Sequence, residues 1–195
     1  MRIEDLRNRL RDLGAKPCHE RRVLRAWTLG KPLDHGPRAA EAWLPLALRQ
    51  ALPSLAAEWE GLARVHSRHE SADATASRLL VALADGQMVE AVLLPRGGLC
   101  VSSQVGCAVG CTFCMTGRTG LARQLGSAEI VAQVAAARRI REVRKVVFMG
   151  MGEPSHNLEA VMEAIEWLGT EGAIGHKNLV FSTVGDRRAF ERLPR

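Results

Sequence analysis

The chain carries three closely spaced cysteines in the run Cys107-Ala108-Val109-Gly110-Cys111-Thr112-Phe113-Cys114. Their spacings of four and three residues can wrap one loop around a compact inorganic core. A structural zinc site needs four closed ligands, so three thiols leave one position unfilled. Iron–sulfur clusters are held by cysteine thiolates, commonly four of them. Three thiolates on a four-iron cluster would leave one iron open, and the run therefore predicts a cluster that can also bind a small molecule.

The residues before these cysteines make the pattern more specific. The stretch Leu99-Cys100-Val101-Ser102-Ser103-Gln104-Val105-Gly106 leads directly into Cys107, and Phe113 precedes the last cysteine. The cysteine run resembles that of the radical S-adenosylmethionine (SAM) superfamily. The longer stretch is similar to the RlmN/Cfr-type adenine methyltransferases of ribosomal RNA, and this similarity is densest between Glu90 and Pro154.

The resemblance implies a four-iron, four-sulfur (4Fe-4S) cluster and SAM as cofactors. Cys107, Cys111 and Cys114 match the three cluster ligands of the family one for one. In the family, an electron from the cluster cleaves SAM into methionine and a 5′-deoxyadenosyl radical, and a protein such as flavodoxin donates that electron. The residues alone also allow a zinc site completed by Cys100 or by a distant histidine.

Two further segments match SAM contacts of the family. Gly150-Met151-Gly152-Glu153-Pro154 follows an apolar stretch and matches the Gly-Glu-Pro loop. Glycines let the backbone approach a ligand closely, and a glutamate can accept hydrogen bonds from an ammonium group. The resemblance assigns Gly152 and Glu153 to the amino group of SAM, and it assigns Ser182 to a further SAM contact.

Two residues match catalytic groups of the family. Cys100 corresponds to a second catalytic thiol, which attacks the methylene-linked protein–RNA adduct and releases the product by forming a disulfide bond; a thiolate nucleophile suits this step. Glu90 corresponds to the proton acceptor. Burial beside Met88 and Val92 would raise its pKa toward the range of a general base. Without the resemblance, Cys100 would be interpreted as a small buried hydrophobe and Glu90 as an exposed edge-strand carboxylate.

The family reaction needs one more cysteine, near the C-terminus, which takes a methyl group from a first SAM molecule. No cysteine follows Cys114, and Cys18 matches no catalytic position. A complete radical SAM barrel also needs more βα units than the three that the sequence pattern suggests. We therefore expect a C-terminally truncated, N-terminal portion of a longer protein, which would not complete the methylation cycle alone.

The apolar pattern predicts an α/β fold in three parts. Residues 1–64 are predicted to form a small helical accessory domain, and residues 65–77, rich in His, Ser, Asp and Ala, a linker. Residues 78–195 are predicted to form a partial radical SAM (β/α) barrel of about the first three βα units, preceded by a β-hairpin. The loops 106–120, 150–154 and 182–185 would then meet at the carboxyl ends of the parallel strands.

Two local predictions are specific enough to test. A third helix is expected from Trp43 to Leu52, with Pro53 ending it. The dipeptide Asp85-Gly86 is expected to form a two-residue hairpin turn, which would place Glu90 opposite Val81.

Composition and charge bound the possible partners. The chain has 47% hydrophobic and 25% charged residues, no apolar run long enough to span a membrane and a net charge of +6. Basic residues concentrate within Met1–Arg25 and in a second group formed by Arg138, Arg139, Arg141, Arg144 and Lys145. Such groups suit phosphate contacts, although they can also be solvated surface. Clustered cysteines favour metal ligation in a reducing compartment, so we expect a cytoplasmic location.

The combined prediction is a radical SAM methyltransferase that modifies an adenine of large-subunit ribosomal RNA at C2 rather than C8, through a methyl-cysteine intermediate. Transfer RNA is kept as a second RNA target. One alternative is a radical SAM enzyme with a different substrate. The other is a zinc-binding module that contacts nucleic acid without catalysis.

Overall fold

The structure is a computed structural model that describes residues 1–36 and 38–192. The described residues form the helices α1 (Ile3–Asp12), α2 (Pro17–Thr28), α3 (Leu46–Gly61), α4 (Ser127–Arg138), α5 (Leu158–Thr170) and α6 (Arg187–Arg192). The strands are β1 (Arg64–Glu70), β2 (Ser77–Ala82), β3 (Met88–Leu94), β4 (Gly98–Val101), β5 (Gln104–Gly106), β6 (Leu121–Gln124), β7 (Lys145–Phe148) and β8 (Leu179–Phe181).

The main sheet has the strand order β1-β2-β3-β4-β7-β8. The strands β1 to β4 are antiparallel neighbours, whereas β4, β7 and β8 run parallel. The helices α4 and α5 provide the two crossovers between the parallel strands. The strands β5 and β6 form a separate antiparallel pair around the cysteine run. The predicted α/β fold with parallel βα units and a preceding hairpin is confirmed.

The two faces of the main sheet differ in burial. Leu93, Leu99 and Val146 lie on a face that is fully covered. Helix α4 lies next to the sheet and is buried around almost its whole circumference, with ten of its twelve residues buried. A helix that is buried on nearly all sides belongs in the interior of a protein, and α4 accordingly lies within the core.

The N-terminal helices share this core with the sheet. Trp167 of α5 donates from Nε1 to the Thr28 hydroxyl at 2.8 Å, and both residues are buried. Arg138 of α4 donates to the Thr28 carbonyl at 2.9 Å and also to the Gly172 carbonyl. Burial lowers the pKa of Arg138 to about 10. The part-buried Arg138 side chain therefore connects α4 to α2 and to the segment after α5.

The predicted linker contains a regular strand. Residues Arg64–Glu70 form β1, which pairs with β2 along its whole length, and a tight turn of residues 71–76 follows. The polar composition of this segment suggested a linker, but it reflects an edge strand whose residues are mostly exposed. Edge strands of soluble proteins are commonly polar and charged, since this prevents pairing with other chains. The division into domains 1–64 and 78–195 stays a prediction.

The prediction that Pro53 ends the third helix is wrong. Helix α3 continues through Pro53 to Gly61, and Leu48, Leu55 and Trp59 are all buried along it. A proline inside a helix costs about 3 kcal/mol, because one backbone hydrogen bond is lost and the ring crowds the preceding turn. Burial of a leucine and a tryptophan beyond the proline offsets this cost, since each contributes about 2 kcal/mol or more.

The predicted hairpin is confirmed, but its register differs by one residue. Glu90 pairs with Leu80, and Val81 pairs with Val89. Leu83 and Gln87 close the turn, and Gly86 adopts a φ of 81°. The connection is therefore a three-residue loop with glycine in the left-handed region, which is a common alternative to the two-residue turn.

Four of the five residues in the second basic group have partners among the described residues. Arg138 is used internally as described above, and Arg141 donates to the backbone carbonyls of Leu94 and Gly98. Arg139 pairs with Glu60, and Arg144 pairs with Glu142. The first basic group is also largely paired, through acidic residues that include Glu20, Glu163 and Glu171. The charge pattern thus gives less support to phosphate contacts than the sequence suggested.

Replacing Trp59 by alanine tests the continuation of α3 beyond Pro53. Trp59 is 1% exposed and packs edge-to-face on Trp27, with ring centroids 5.6 Å apart. We expect Trp59→Ala to lower the free energy of unfolding by about 3–5 kcal/mol in urea titrations. Leu46→Ala, at a 60% exposed position of the same helix, should change it by less than about 0.5 kcal/mol. Equal effects of the two changes would contradict the packing of α3.

Candidate functional site

The loops that follow β4 and β7 are held together by backbone hydrogen bonds. The N–H of Gly150 donates to the Val101 carbonyl at 2.9 Å, and the N–H of Ser103 donates to the Met151 carbonyl at 2.9 Å. Gln104 donates to the same Met151 carbonyl at 3.2 Å. The Gly-Glu-Pro loop therefore lies directly beside the chain that leads into the cysteine run.

The cysteine run is a loop between β5 and β6. Its base is closed by the Cys107 N–H, which donates to the Gly120 carbonyl at 3.0 Å. Gly106 has a φ of 78°, and any side chain at this position would collide with Gly120. A second bond, from the Cys114 N–H to the Cys111 carbonyl at 3.0 Å, turns the loop tightly. The sequence thus positions the three cysteines on one short, anchored loop.

The three thiols fit a cluster by their donor chemistry. Cys107 is buried, Cys111 and Cys114 are half-exposed, and all are free thiols. The N–H groups of Gly117 and Thr116 lower the pKa of the Cys114 thiol, which favours the thiolate that a metal needs. Within the part of the chain that the structure describes, no three His, Cys, Asp or Glu side chains are close enough together to hold a single metal ion. The donor set is therefore present without a preformed single-ion site.

Glu153 is a buried carboxylate at the centre of the Gly-Glu-Pro loop. Its oxygens accept hydrogen bonds from the N–H groups of Ser155 and Val184, each at 3.0 Å, and from the Thr183 side chain. Burial opposes ionisation, but these hydrogen bonds together lower the pKa of Glu153. The carboxylate therefore ties the end of β7 to the end of β8. Ser182 lies half-buried directly before Thr183 in this arrangement.

Gln104 fixes the Gly-Glu-Pro loop from the other side. Its side-chain carbonyl accepts the Glu153 N–H at 2.7 Å, and its amide donates to Gln124 of β6 at 2.9 Å. Gly152 has a φ of 101°, and a side chain there would collide with Gln104. The structure thus places Glu153 in hydrogen-bond contact with Thr183 and Val184, the two residues that follow Ser182. The SAM contacts of Gly152, Glu153 and Ser182 stay a prediction.

Cys100 and Glu90 lie on the same face of the sheet. Cys100 pairs with Val92 across the β3–β4 ladder, and Glu90 is two residues before Val92, so the two are diagonal neighbours. Cys100 is buried, and this burial raises the pKa of its thiol. The disulfide bond expected at one stage of the reaction is not present, since all five cysteines are free.

The expected burial of Glu90 is wrong. Its side chain is 42% exposed, and its carboxylate forms an ion pair with Arg78 at 3.2 Å. Alternation along β3 does place Glu90 on the face of Met88 and Val92, but this face is only half-covered. The buried residues of β3, which are Val89, Ala91 and Leu93, lie on the opposite face. The sequence indicated which side chains share a face but not which face the core covers.

The sequence did not single out three polar residues that hold the site together. Ser102, Gln104 and Gln133 are at most 1% exposed, and all make hydrogen bonds between different elements. Ser102 and Gln104 stand in the stretch that carries the family resemblance, but spacing alone gives no role to a serine or glutamine. Gln133 could have been noticed as a polar residue within the apolar sequence of α4.

Comparison with known proteins agrees with this geometry. Residues 101–194 match the family model described as the radical SAM superfamily. A crystal structure of a radical SAM methyltransferase from Sphaerobacter thermophilus aligns with a TM-score of 0.73 and 30% identity, over 100% of this chain and 59% of that one. Residues 101–194 and the fold that contains them are therefore similar to those of the radical SAM superfamily.

Closer relatives carry a more specific name. The chain is 70% identical over its full length to a "Probable RNA methyltransferase" of an Azoarcus species, of which it covers 56%. Proteins with this name from Thiobacillus denitrificans and Pseudomonas aeruginosa are 70% and 68% identical, with 53% and 57% of their lengths covered. The chain thus spans just over half the length of these relatives.

Replacing Glu153 by glutamine tests the buried carboxylate. Because its pKa is lowered in the folded state, the stability that Glu153 contributes is present above the ordinary value of 4.5 and is lost as the pH falls through the lowered pKa. We expect Glu153→Gln to cost about 1–3 kcal/mol in urea unfolding at pH 7, and less at pH 3. Glu166→Gln, at an exposed position of α5, is the matched control. A cost that does not depend on pH would contradict this assignment.

Proposed function

We propose that this chain is part of a radical SAM RNA methyltransferase that methylates an adenine of large-subunit ribosomal RNA at C2. The observation that carries the proposal is the direct hydrogen-bonded contact between the chain leading into three free cysteines and a Gly-Glu-Pro loop. This contact places the cysteine run, which would hold the cluster, beside the Gly-Glu-Pro loop, which would bind the amino-acid part of SAM. The names of the relatives support RNA as the substrate class.

In this proposal, Cys107, Cys111 and Cys114 hold the cluster, and the methionine part of SAM lies beside the Gly-Glu-Pro loop. The bound cluster and SAM would supply the 5′-deoxyadenosyl radical. The Glu153 carboxylate carries the negative charge of this loop and would accept a hydrogen bond from the ammonium group of SAM. Gly152 keeps the backbone open to the ligand, and Ser182 contributes a hydroxyl from the end of β8.

Cys100 and Glu90 are assigned to the end of the reaction. Glu90 would accept the proton that the adenine carbon releases. The Cys100 thiol would attack the sulfur of the methyl-carrying cysteine, so that a disulfide bond forms while the bond from this sulfur to the methylene group on the adenine breaks. The released adenine keeps the electron pair and takes up a proton. Their diagonal position on one face of the sheet supports a shared task. No cysteine of this sequence matches the methyl-carrying position, so the proposal assigns that step to a part of the protein beyond these residues.

The RNA contact is expected on the helical part of the chain. A groove there is lined by Arg22, Arg25, Lys31 and His35, which can contact phosphates. Crosslinking of this chain to ribosomal RNA and to transfer RNA would decide between the two targets. No helix of the described residues is both long and apolar enough for a bilayer crossing. An electron donor of the flavodoxin type and a cytoplasmic location complete the proposal.

Two alternatives lead to different observations. A radical SAM enzyme with a small-molecule or protein substrate would cleave SAM but would not crosslink to RNA. A zinc-dependent module would contain zinc and no iron after oxygen-free purification. The preference for C2 over C8 is tested by mass spectrometry of methylated adenine from the full-length reaction.

Replacing Cys111 by alanine tests the cluster. We expect Cys111→Ala to reduce 5′-deoxyadenosine formation to the level without protein, because two thiolates remain and the cluster is not held. The control is Cys18→Ala, which removes an exposed thiol outside the loop and should leave formation unchanged. Iron and sulfide content after oxygen-free reconstitution is measured in parallel. Undiminished 5′-deoxyadenosine formation by Cys111→Ala would contradict the proposal.

Replacing Glu90 by glutamine tests the proton acceptor. In a version of the protein that includes the methyl-carrying cysteine, Glu90→Gln should retain cluster content and SAM cleavage. Formation of methylated RNA should fall by about 10²–10⁴-fold, which is the usual contribution of a general base. The control is Glu166→Gln. Full formation of methylated RNA by Glu90→Gln would remove Glu90 from the reaction.

A further inference from the structure

Ser102 occupies a point where four parts of the site meet. It follows Cys100 by two residues at the end of β4, and its side chain is fully buried. The hydroxyl donates to the backbone carbonyl of Glu90 at 2.5 Å and accepts the N–H of Met151 at 2.8 Å. One oxygen atom therefore connects the strand of the proposed proton acceptor to the Gly-Glu-Pro loop.

The backbone of Ser102 is held just as completely. Its N–H donates to the side-chain carbonyl of Gln133 at 2.9 Å, and its carbonyl accepts the Gln133 amide at 2.9 Å. Gln133 is 1% exposed and lies on the central helix α4. These two hydrogen bonds fix the position of the Ser102 backbone. The hydroxyl is therefore held close to its two partners, the Glu90 carbonyl and the Met151 N–H.

The neighbouring loop is shaped around this hydroxyl. A side chain at Gly150 would lie 2.7 Å from the Ser102 hydroxyl and 2.8 Å from its backbone nitrogen, which is too close for any real contact. Glycine at this position lets the loop pass near enough for the Met151 N–H to reach the hydroxyl. The adjacent Ser103 is also buried, but its hydrogen bond to Met151 is made by its backbone N–H.

We propose that Ser102 is a positioning residue that sets the Gly-Glu-Pro loop relative to the strand bearing Glu90, and thereby orders the contacts to the amino-acid part of SAM. The inference rests on the proposed function for the identity of the ligand. Without the hydroxyl, the Met151 N–H and the Glu90 carbonyl would lose a partner in a part-buried place. An unpaired buried group seeks another partner, so the loop would shift from its position.

The first experiment is hydrogen exchange on the protein without cofactors. The Met151 amide should be protected in the unmodified chain, and Ser102→Ala should speed its exchange by about tenfold, which corresponds to the loss of one hydrogen bond. Ser103→Ala, which removes a buried hydroxyl but keeps the backbone bond, should change it by less than about twofold. A Met151 amide that exchanges freely in the unmodified chain would overturn the proposal, even if Ser102→Ala does not fold.

The second experiment separates positioning from general stability. The cluster-loaded chain is titrated with S-adenosylhomocysteine, which has the amino-acid part, and with 5′-methylthioadenosine, which lacks it. Ser102→Ala should weaken binding of the first about tenfold and of the second by less than about twofold, whereas Ser103→Ala should affect neither. Equal weakening of both ligands would indicate a merely structural role and would overturn the proposal.

The two experiments also separate this inference from the proposed function. If the unmodified chain binds neither ligand, the proposed function fails, and hydrogen exchange still decides whether Ser102 holds the loop. If the ligands bind and Ser102→Ala changes neither the exchange of Met151 nor the binding, the positioning role is wrong while the proposed function stands.

Discussion

The buried hydrogen bonds between the end of β4 and the Gly-Glu-Pro loop are the contact on which the site depends. Backbone bonds from Ser103 and Gln104 to Met151, together with the bond between the Glu153 N–H and the Gln104 side chain, hold this loop against the end of β4. The Glu153 carboxylate in turn accepts the N–H of Val184, so the loop is also held to the segment that follows β8. Three loops that are distant in sequence become one site because polar groups at the strand ends satisfy one another away from water.

The rest of the fold keeps these strand ends in place. Helix α4 is buried on nearly all sides, and its polar residues face particular partners: Gln133 holds Ser102, and Glu129 accepts the Gly126 N–H and pairs with Arg123 of β6. Several arginines that suggested a nucleic-acid surface are instead bound to backbone carbonyls or carboxylates within the molecule. Their positive charge is largely used by the fold, so the proposed RNA contact would depend on the basic groups that line the groove near Lys31.

The sequence predicted the fold class and the meeting of loops at the strand ends, whereas the roles of the site residues stay predictions. Three cysteines and a Gly-Glu-Pro loop are constrained by chemistry, so their types and spacing are informative without coordinates. Pro53 within α3 and the polar strand β1 were not predictable, because tertiary packing in one case and exposure at a sheet edge in the other outweighed local preference. The exposure of Glu90 depends on which face the core covers, and the role of Ser102 depends on contacts between residues far apart in sequence.

The central claim is that three thiolates leave one iron of a cluster open to the amino-acid part of SAM. The most direct measurement is electron–nuclear double resonance of the reduced cluster with SAM labelled with ¹⁵N at its amino group. The account predicts a ¹⁵N hyperfine coupling to the cluster, which is replaced by a ¹⁴N coupling when unlabelled SAM is used. A reduced cluster that binds SAM without any such coupling, or a site that holds a fully ligated, redox-silent ion, would contradict the account.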